Sequence, residues 1–385
     1  MKKPDFLDAW SSLQGDILNR ACATIKNSGA EDVDAAIEKV PTDFRGFLAL
    51  LSDAADGRMD KIKKAARDLT AQRFGRTVNL YIPMYLSSSC INKCLYCGFN
   101  SSRDYKRRTL ELDDVQREGE RLRAEGFRNI LLVSGEDKRE TTIELLENSV
   151  KLLKAMDFSF VSIEVAPLST DEYKRLGDAG LDGVTVYQET YDREIYERVH
   201  VAGPKMDFEK RIGAAERVAS AGIRSIGIGF LLGLGDFRKD AICLAAHVKY
   251  MQKHFWQTNV SVSFPRIHYT PPGFSPENKV SDAQLTRLIT AMRLANPDVT
   301  LTLSTREAPE LRDALFGVGI NQASAGSKTV PGGYSLEDSE ESENGQFPVV
   351  DDRSPAQVAQ ALLKLGLEQV WKDWDPNLKP VEVSR

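Results

Sequence analysis

From about residue 77 onward, short runs rich in β-branched and apolar residues alternate with amphipathic stretches of helical spacing, and no other property of the sequence leaves so few folds open. Such alternation specifies repeated βα units and a parallel sheet. The runs fall at residues 78–84, 129–134, 159–165, 183–187, 225–231, 259–264, 300–304 and 319–323, and helical patterns between them cover 112–125, 143–155, 170–179, 208–221, 241–254 and 282–294. Eight units over about 250 residues predict an α/β fold of the closed (βα)8, TIM-barrel type. An open doubly wound sheet is the alternative, but no GxGxxG fingerprint follows the first strand. Residues 1–76 lack strand-like alternation and space apolar side chains helically, as in Val33, Ala36, Ile37 and Val40 or Phe44, Phe47, Leu48 and Leu51. The expected organisation is a helical extension (1–76), a barrel (77–329) and a C-terminal loop and helix closing it (330–385). In that tail, 335–345 is rich in Ser, Glu and Gly and reads as a mobile loop, 355–365 as a helix, and VWKDWD lies near the end.

Charge narrows the function classes. The 51 Lys and Arg against 56 Asp and Glu give a net charge of −5, without the basic excess that nucleic-acid binding needs. The apolar stretch from Ile223 to Leu234 is interrupted by Arg, Ser and Gly and is far short of the roughly 20 residues of a membrane helix. The opening MKKPDFLDAW lacks the apolar core of a signal peptide, so the expected location is the cytoplasm.

Three of the five cysteines form Cys90-Ile-Asn-Lys-Cys94-Leu-Tyr-Cys97, just past the first strand. Three thiolates on one short loop can bind three irons of a cubane and leave the fourth iron without a protein ligand. A closed zinc site would need a fourth Cys or His, whereas Cys22 and Cys243 fall in helical patterns and are expected to be buried structural thiols.

In a barrel the C-terminal strand ends converge on the site. The second strand ends in Ser134-Gly135-Glu136-Asp137, either a solvated turn or a backbone close to a ligand with a carboxylate for an ammonium group. The third carries Glu164 in a mostly apolar run, where a buried carboxylate needs a partner. The fourth ends in Tyr187-Gln188-Glu189-Thr190-Tyr191, and the following helix holds Arg211, which reads equally as an exposed helix arginine. Strands six and seven end in Pro265-Arg266 and Ser304-Thr305-Arg306-Glu307, two arginines suited to an anionic substrate or to ion pairs with acids such as Glu307. The eighth supplies Ser324-Ala-Gly-Ser327-Lys328.

The Cx3CxxC run with Tyr96 before its last cysteine resembles the radical S-adenosylmethionine (SAM) superfamily. The resemblance implies a 4Fe-4S cluster on Cys90, Cys94 and Cys97 whose open iron chelates SAM, and a 5′-deoxyadenosyl radical as initiator. Within that superfamily, YIPMYLSSSCINKCLYCGF, VYQETY, SFPRI, LSTRE, SKTVPGGY and VWKDWD resemble the 2-iminoacetate synthase family, tyrosine lyases of anaerobic thiamine biosynthesis, across essentially the whole chain. This resemblance implies cleavage of the Cα–Cβ bond of L-tyrosine to 2-iminoacetate and p-cresol, a low-potential electron donor such as flavodoxin, and thiazole synthase as the protein partner receiving the imine. It also implies that Tyr96, Glu136, Glu164, Gln188 and Arg211 hold SAM, that Arg306 binds the tyrosine carboxylate, and that Tyr85, Asn92 and Ser324 lie by the amino acid. The related tyrosine-cleaving hydrogenase maturases carry further C-terminal cysteines, and this chain has none after Cys243. A tryptophan lyase shares the barrel and stays open on sequence alone. A non-enzymatic iron-sulfur carrier would not need strand ends furnished with Arg, Glu and Gln.

Overall fold

The computed structural model describes residues 5–335 and 344–371. Eight parallel strands close into a ring: β1 (Thr77–Ser87), β2 (Asn129–Ser134), β3 (Phe160–Glu164), β4 (Gly183–Thr185), β5 (Ser225–Gly229), β6 (Asn259–Ser263), β7 (Thr300–Leu303) and β8 (Gln322–Ser324). Each pairs with its neighbour in sequence, and β1 completes the ring between β2, with Ile82 opposite Ile130, and β8, with Leu80 opposite Ala323. Crossover helices cover the outside and bury the outward-facing strand residues, such as Val78, Leu80, Ile82 and Ile130.

The helices follow the apolar spacing closely, with Ile143–Ala155 reproduced to the residue. The helix expected over 208–221 is divided at Gly213 into Phe208–Ile212 and Ala214–Ser220. That expected from 241 starts earlier, as Phe237–His254, because the Asp236 side chain caps it by accepting from the Arg238 N–H. The eighth strand lies at Gln322–Ser324 rather than 319–323, since Phe316 to Ile320 form a bridged turn that uses up the preceding residues. A ninth strand, β9 (Glu368–Val370), was not foreseen and pairs in parallel with Thr77–Asn79 of β1. Most of the expected mobile loop, and VWKDWD beyond Trp371, lie outside the described residues.

Helices Phe6–Leu13, Asp16–Asn27, Ala30–Glu38, Phe44–Leu50 and Met59–Phe74 form the N-terminal layer, packed mainly on Phe237–His254 and Asp282–Ala295. Phe6 stacks on His247 at 3.7 Å, and the Trp10 indole donates to the Tyr191 carbonyl at 3.2 Å. Cys243 is buried on the crossover helix Phe237–His254 beneath this layer, whereas Cys22, expected to be buried, is only half-buried. Among the described residues no helix is long and apolar enough to cross a membrane.

A cavity of about 410 Å³ enters the barrel from the N-terminal strand ends, among Asn79, Asn129, Ser162, Thr185, Arg224 and Thr302. The motif thiols and the acids Glu136, Glu164 and Glu189, the last buried and the other two half-buried, gather at the opposite end, so the chemistry belongs there.

Candidate active site

Leaving the barrel at Ser87, the chain folds back at Thr109, and the intervening loop carries the three thiols. The Arg107 guanidinium ties this loop together by donating to the carbonyls of Ser88 at 2.8 Å, Phe99 at 2.9 Å and Asn100 at 2.7 Å. A second segment, residues 199–205, interlocks with it: Lys93 N–H donates to the Ala202 carbonyl at 2.8 Å, Val201 N–H to Lys93 at 3.0 Å, and Leu95 N–H to Val199 at 3.0 Å. Gly203 sits at φ +100° against Asn92, where a Cβ would lie 2.3 Å from the Asn92 Oδ1. Gly135 is equally confined, since a Cβ there would lie 2.1 Å from the Ser89 carbonyl.

Cys94 is buried, and Cys90 and Cys97 are half-buried among Tyr85, Phe99, Val133 and Tyr105. Burial pushes the Cys94 and Cys97 thiols up, Cys97 to about 11, with Lys205 pulling both back. Thiolates in so apolar a loop call for a bound cation. Among the described residues no three His, Cys, Asp or Glu side chains converge as ligands of a single ion would. Three thiols spread along one loop fit a cubane, in which each sulfur takes a different iron. The Phe99 N–H already points at the Cys97 sulfur, at 3.4 Å.

Beside the loop lies a four-charge network whose side chains are 8–13% exposed. Glu136 accepts from Arg211 Nη1 at 2.9 Å and from Asn92 Nδ2 at 3.0 Å. Lys205 Nζ donates to Glu189 at 2.7 Å and lies 3.9 Å from Glu136, while Arg211 reaches Glu189 at 3.5 Å and the Tyr187 carbonyl at 2.6 Å. Burial alone would raise Glu136 and Glu189, but Arg211 and Lys205 outweigh it and hold both carboxyls below the usual range. Arg211 is therefore no exposed helix arginine. Glu164 lacks such cover: burial, reinforced by Glu189, pushes it up to about 7 against the pull of Arg306, Lys205 and Arg211.

Tyr96 donates its hydroxyl to His200 Nε2 at 2.8 Å. The His200 tautomer follows from its other nitrogen, since Nδ1 lies 2.7 Å from the Tyr196 carbonyl and must carry the proton. Burial pushes His200 down to about 2, so it stays neutral and Nε2 accepts.

Gln188 is buried with both amide atoms unpartnered, and the buried hydroxyls of Ser134, Thr305 and Ser327 likewise find no partner among the described residues. Four orphaned polar side chains at the ends of β2, β4, β7 and β8 mark a mouth built for a polar ligand, and SAM carries the ammonium, carboxylate and ribose groups that would satisfy them.

The remaining expected residues are dispersed around the same mouth. Asn92 uses both ends of its amide within the protein, donating to Glu136 and accepting from the Lys205 N–H at 2.9 Å. Ser324 accepts from the Thr305 N–H at 3.2 Å and does not reach Arg306 through any described hydrogen bond. Tyr85 donates to Gln346 Oε1 at 2.7 Å, and the Arg306 guanidinium lies 3.4 Å above the Phe347 ring. Arg266 is no substrate clamp: its guanidinium is taken by Glu307 and by Asp282 at 2.7 Å. Sequence reasoning missed Lys205, His200, Gln346 and Phe347, which sit in loops without a spacing pattern, and gave Glu189 no role although it lies inside the VYQETY segment.

Residues 84–243 match the Radical SAM superfamily, and residues 263–368 the Biotin and Thiamin Synthesis associated domain. The 2-iminoacetate synthase of Escherichia coli is 42% identical over 374 residues, 97% of either chain. That of Salmonella typhimurium is 43% identical over 381 residues, 99% of either chain. Among solved structures, the FeFe-hydrogenase maturase HydG from Carboxydothermus hydrogenoformans aligns with a TM-score of 0.86 at 30% identity, covering 96% of this chain and 86% of that one. Methylornithine synthase, with a TM-score of 0.71 at 21% identity, shares the fold.

Proposed function

The chain belongs to the radical SAM superfamily and to the 2-iminoacetate synthase family within it, and on that footing we propose a role for each group in the mouth. The enzyme is a radical SAM lyase that cleaves L-tyrosine to 2-iminoacetate, and the observation that carries this is 42–43% identity maintained over 97–99% of both chains. p-Cresol is the coproduct of Cα–Cβ cleavage.

When bound, the 4Fe-4S cluster and SAM supply the 5′-deoxyadenosyl radical. Cys90, Cys94 and Cys97 hold the cluster on a loop braced by Arg107 and by residues 199–205. Glu136, kept ionised by Arg211 and Lys205, takes the SAM ammonium, and Asn92 fixes its orientation. Gln188 offers an uncommitted amide to the same ligand, and Glu164, near neutrality, can donate to as well as accept from a ribose hydroxyl. Tyr96, fixed by neutral His200, forms the wall beside the cluster. Arg306 takes the tyrosine carboxylate, and Tyr85 bounds the same space from β1. Enclosure of this mouth keeps water from the radical and holds the amino group close to the abstracting carbon. A low-potential donor such as flavodoxin delivers the electron, thiazole synthase receives the imine, and the thiolates suit a reducing cytoplasm.

Anaerobic reconstitution with iron and sulfide, followed by SAM, dithionite and L-tyrosine, tests the reading. 5′-Deoxyadenosine, p-cresol and glyoxylate from hydrolysed imine are expected together. Deoxyadenosine without p-cresol would overturn tyrosine as substrate, and neither product from cluster-loaded protein would overturn the lyase. Cys94→Ala should fail to retain iron, whereas Cys243→Ala should retain it.

A further inference from the structure

Residues 344–351 run across the mouth as a strap, and their contacts bear on how the substrate carboxylate is recognised. Three segments, the thiol loop and the ends of β7 and β8, hold the strap by its backbone. Gly98 N–H of the thiol loop donates to the Gln346 carbonyl at 3.1 Å, and Gln346 N–H donates to Thr329 beyond β8 at 3.2 Å. Thr329 Oγ1 donates to the Phe347 carbonyl at 2.9 Å, and the N–H groups of Val350 and Asp351 donate to Thr305 beyond β7 at 3.0 and 3.1 Å. The approach is tight, since a Cβ on Gly98 would lie 2.3 Å from the Gly345 carbonyl. From this position the strap places the Gln346 amide on the Tyr85 hydroxyl and the Phe347 ring under Arg306.

Among the described residues the Arg306 guanidinium makes no hydrogen bond or ion pair; its contact is the face of Phe347, 3.4 Å away. Arg266, one strand earlier, is consumed by Glu307 and Asp282. Stacking uses the face of a guanidinium and leaves its in-plane N–H fork free, which is the geometry a bidentate carboxylate needs. It also fixes a long side chain that would otherwise lose conformational entropy on binding.

We propose that Phe347 is a positioning residue for substrate recognition: its ring holds the Arg306 guanidinium with the fork open, while Gln346 anchors the Tyr85 hydroxyl at the same wall. The proposal rests on the reading that Arg306 binds the amino-acid carboxylate. It adds a segment remote from the barrel strands to the specificity machinery.

The test is anaerobic calorimetric titration of the cluster-loaded, SAM-saturated enzyme with L-tyrosine, and with tyramine, which keeps the ring and amine but lacks the carboxylate. Phe347→Ala should weaken L-tyrosine by about tenfold or more and leave tyramine binding, iron content and SAM affinity unchanged, as expected for loss of one preorganised charge contact. Phe347→Tyr should restore affinity because it keeps the aromatic face, whereas Phe347→Leu should not. In an Arg306→Gln background, Phe347→Ala should add nothing further. Unchanged or tighter L-tyrosine binding by Phe347→Ala, equal weakening of tyramine, or full rescue by leucine would overturn the proposal. Arg306→Gln with unaltered L-tyrosine affinity would instead overturn the carboxylate reading beneath it.

Discussion

Glu164 and Asp240 are two carboxyls that burial lifts to about 7, each from the ordinary carboxylate range. Well below about pH 4 both are protonated whether the chain is folded or not, and their contribution to stability is intact. As pH rises toward 7 the unfolded chain releases these protons while the folded one keeps them, so stability falls across that window. Glu164→Gln should remove up to about 3 kcal/mol of the fall, the equivalent of its shift. Urea unfolding of the protein at pH 5 and pH 7.5 would show it, and an unchanged difference between the two would refute the assignment. At this scale legibility depended on covalent spacing. Cys90, Cys94, Cys97 and the Ser134-Gly135-Glu136 end announce themselves within a few positions of one another. Lys205 does not, because what ties it into the charge network is Glu189, held at φ +71° on another loop. Arg266 and Arg306 look alike in sequence, and only the acids around Arg266 separate them.

Loops and strands carry the next layer of specification. The thiol loop is kept in shape by residues 199–205, and Gly203 is the point of closest approach. Gly203→Ala combines an unfavourable positive φ with a Cβ driven into Asn92, at a cost of about 2 kcal/mol. The expected result is a lower melting temperature together with reduced iron uptake on reconstitution; normal iron uptake would mean the two loops act independently. The crossover helices were readable because their apolar faces repeat every three to four residues. β8 was displaced because the turn bridged between Phe316 and Ile320 takes up the residues before it, and β9 was missed because it is a short strand in the tail with no pattern of units around it. The partition of the helix at Gly213 leaves its apolar spacing intact, so nothing in that spacing reveals it.

Across the whole molecule, the tail is fastened to the barrel by charge. Arg312 and Asp351 are both fully buried and paired, and Arg353 joins Asp351 at 2.8 Å and Asp313 at 2.9 Å. Arg312→Met strands a buried carboxylate on one remaining partner and should cost about 3 kcal/mol, read as a drop in thermal stability that salt does little to alter. A loss no larger than that of an exposed pair would show that the tail is held by other contacts. The closed barrel was legible from the alternation of units, but the tail's position over the mouth was not, since it depends on contacts between residues more than two hundred positions apart, such as Tyr85 and Gln346. The ring itself has the same long reach. β1, which delivers the thiols, is flanked on one side by β2 and on the other by β8, whose first residue is Gln322. At about 5–20 residues per second on the ribosome, Cys97 precedes Gln322 by roughly 10–45 s. Throughout that interval β1 has one flank without its partner strand. The site that holds the thiols is thus complete only once the last strand of the ring has paired, so assembly of the mouth is non-local although the thiol motif itself is local.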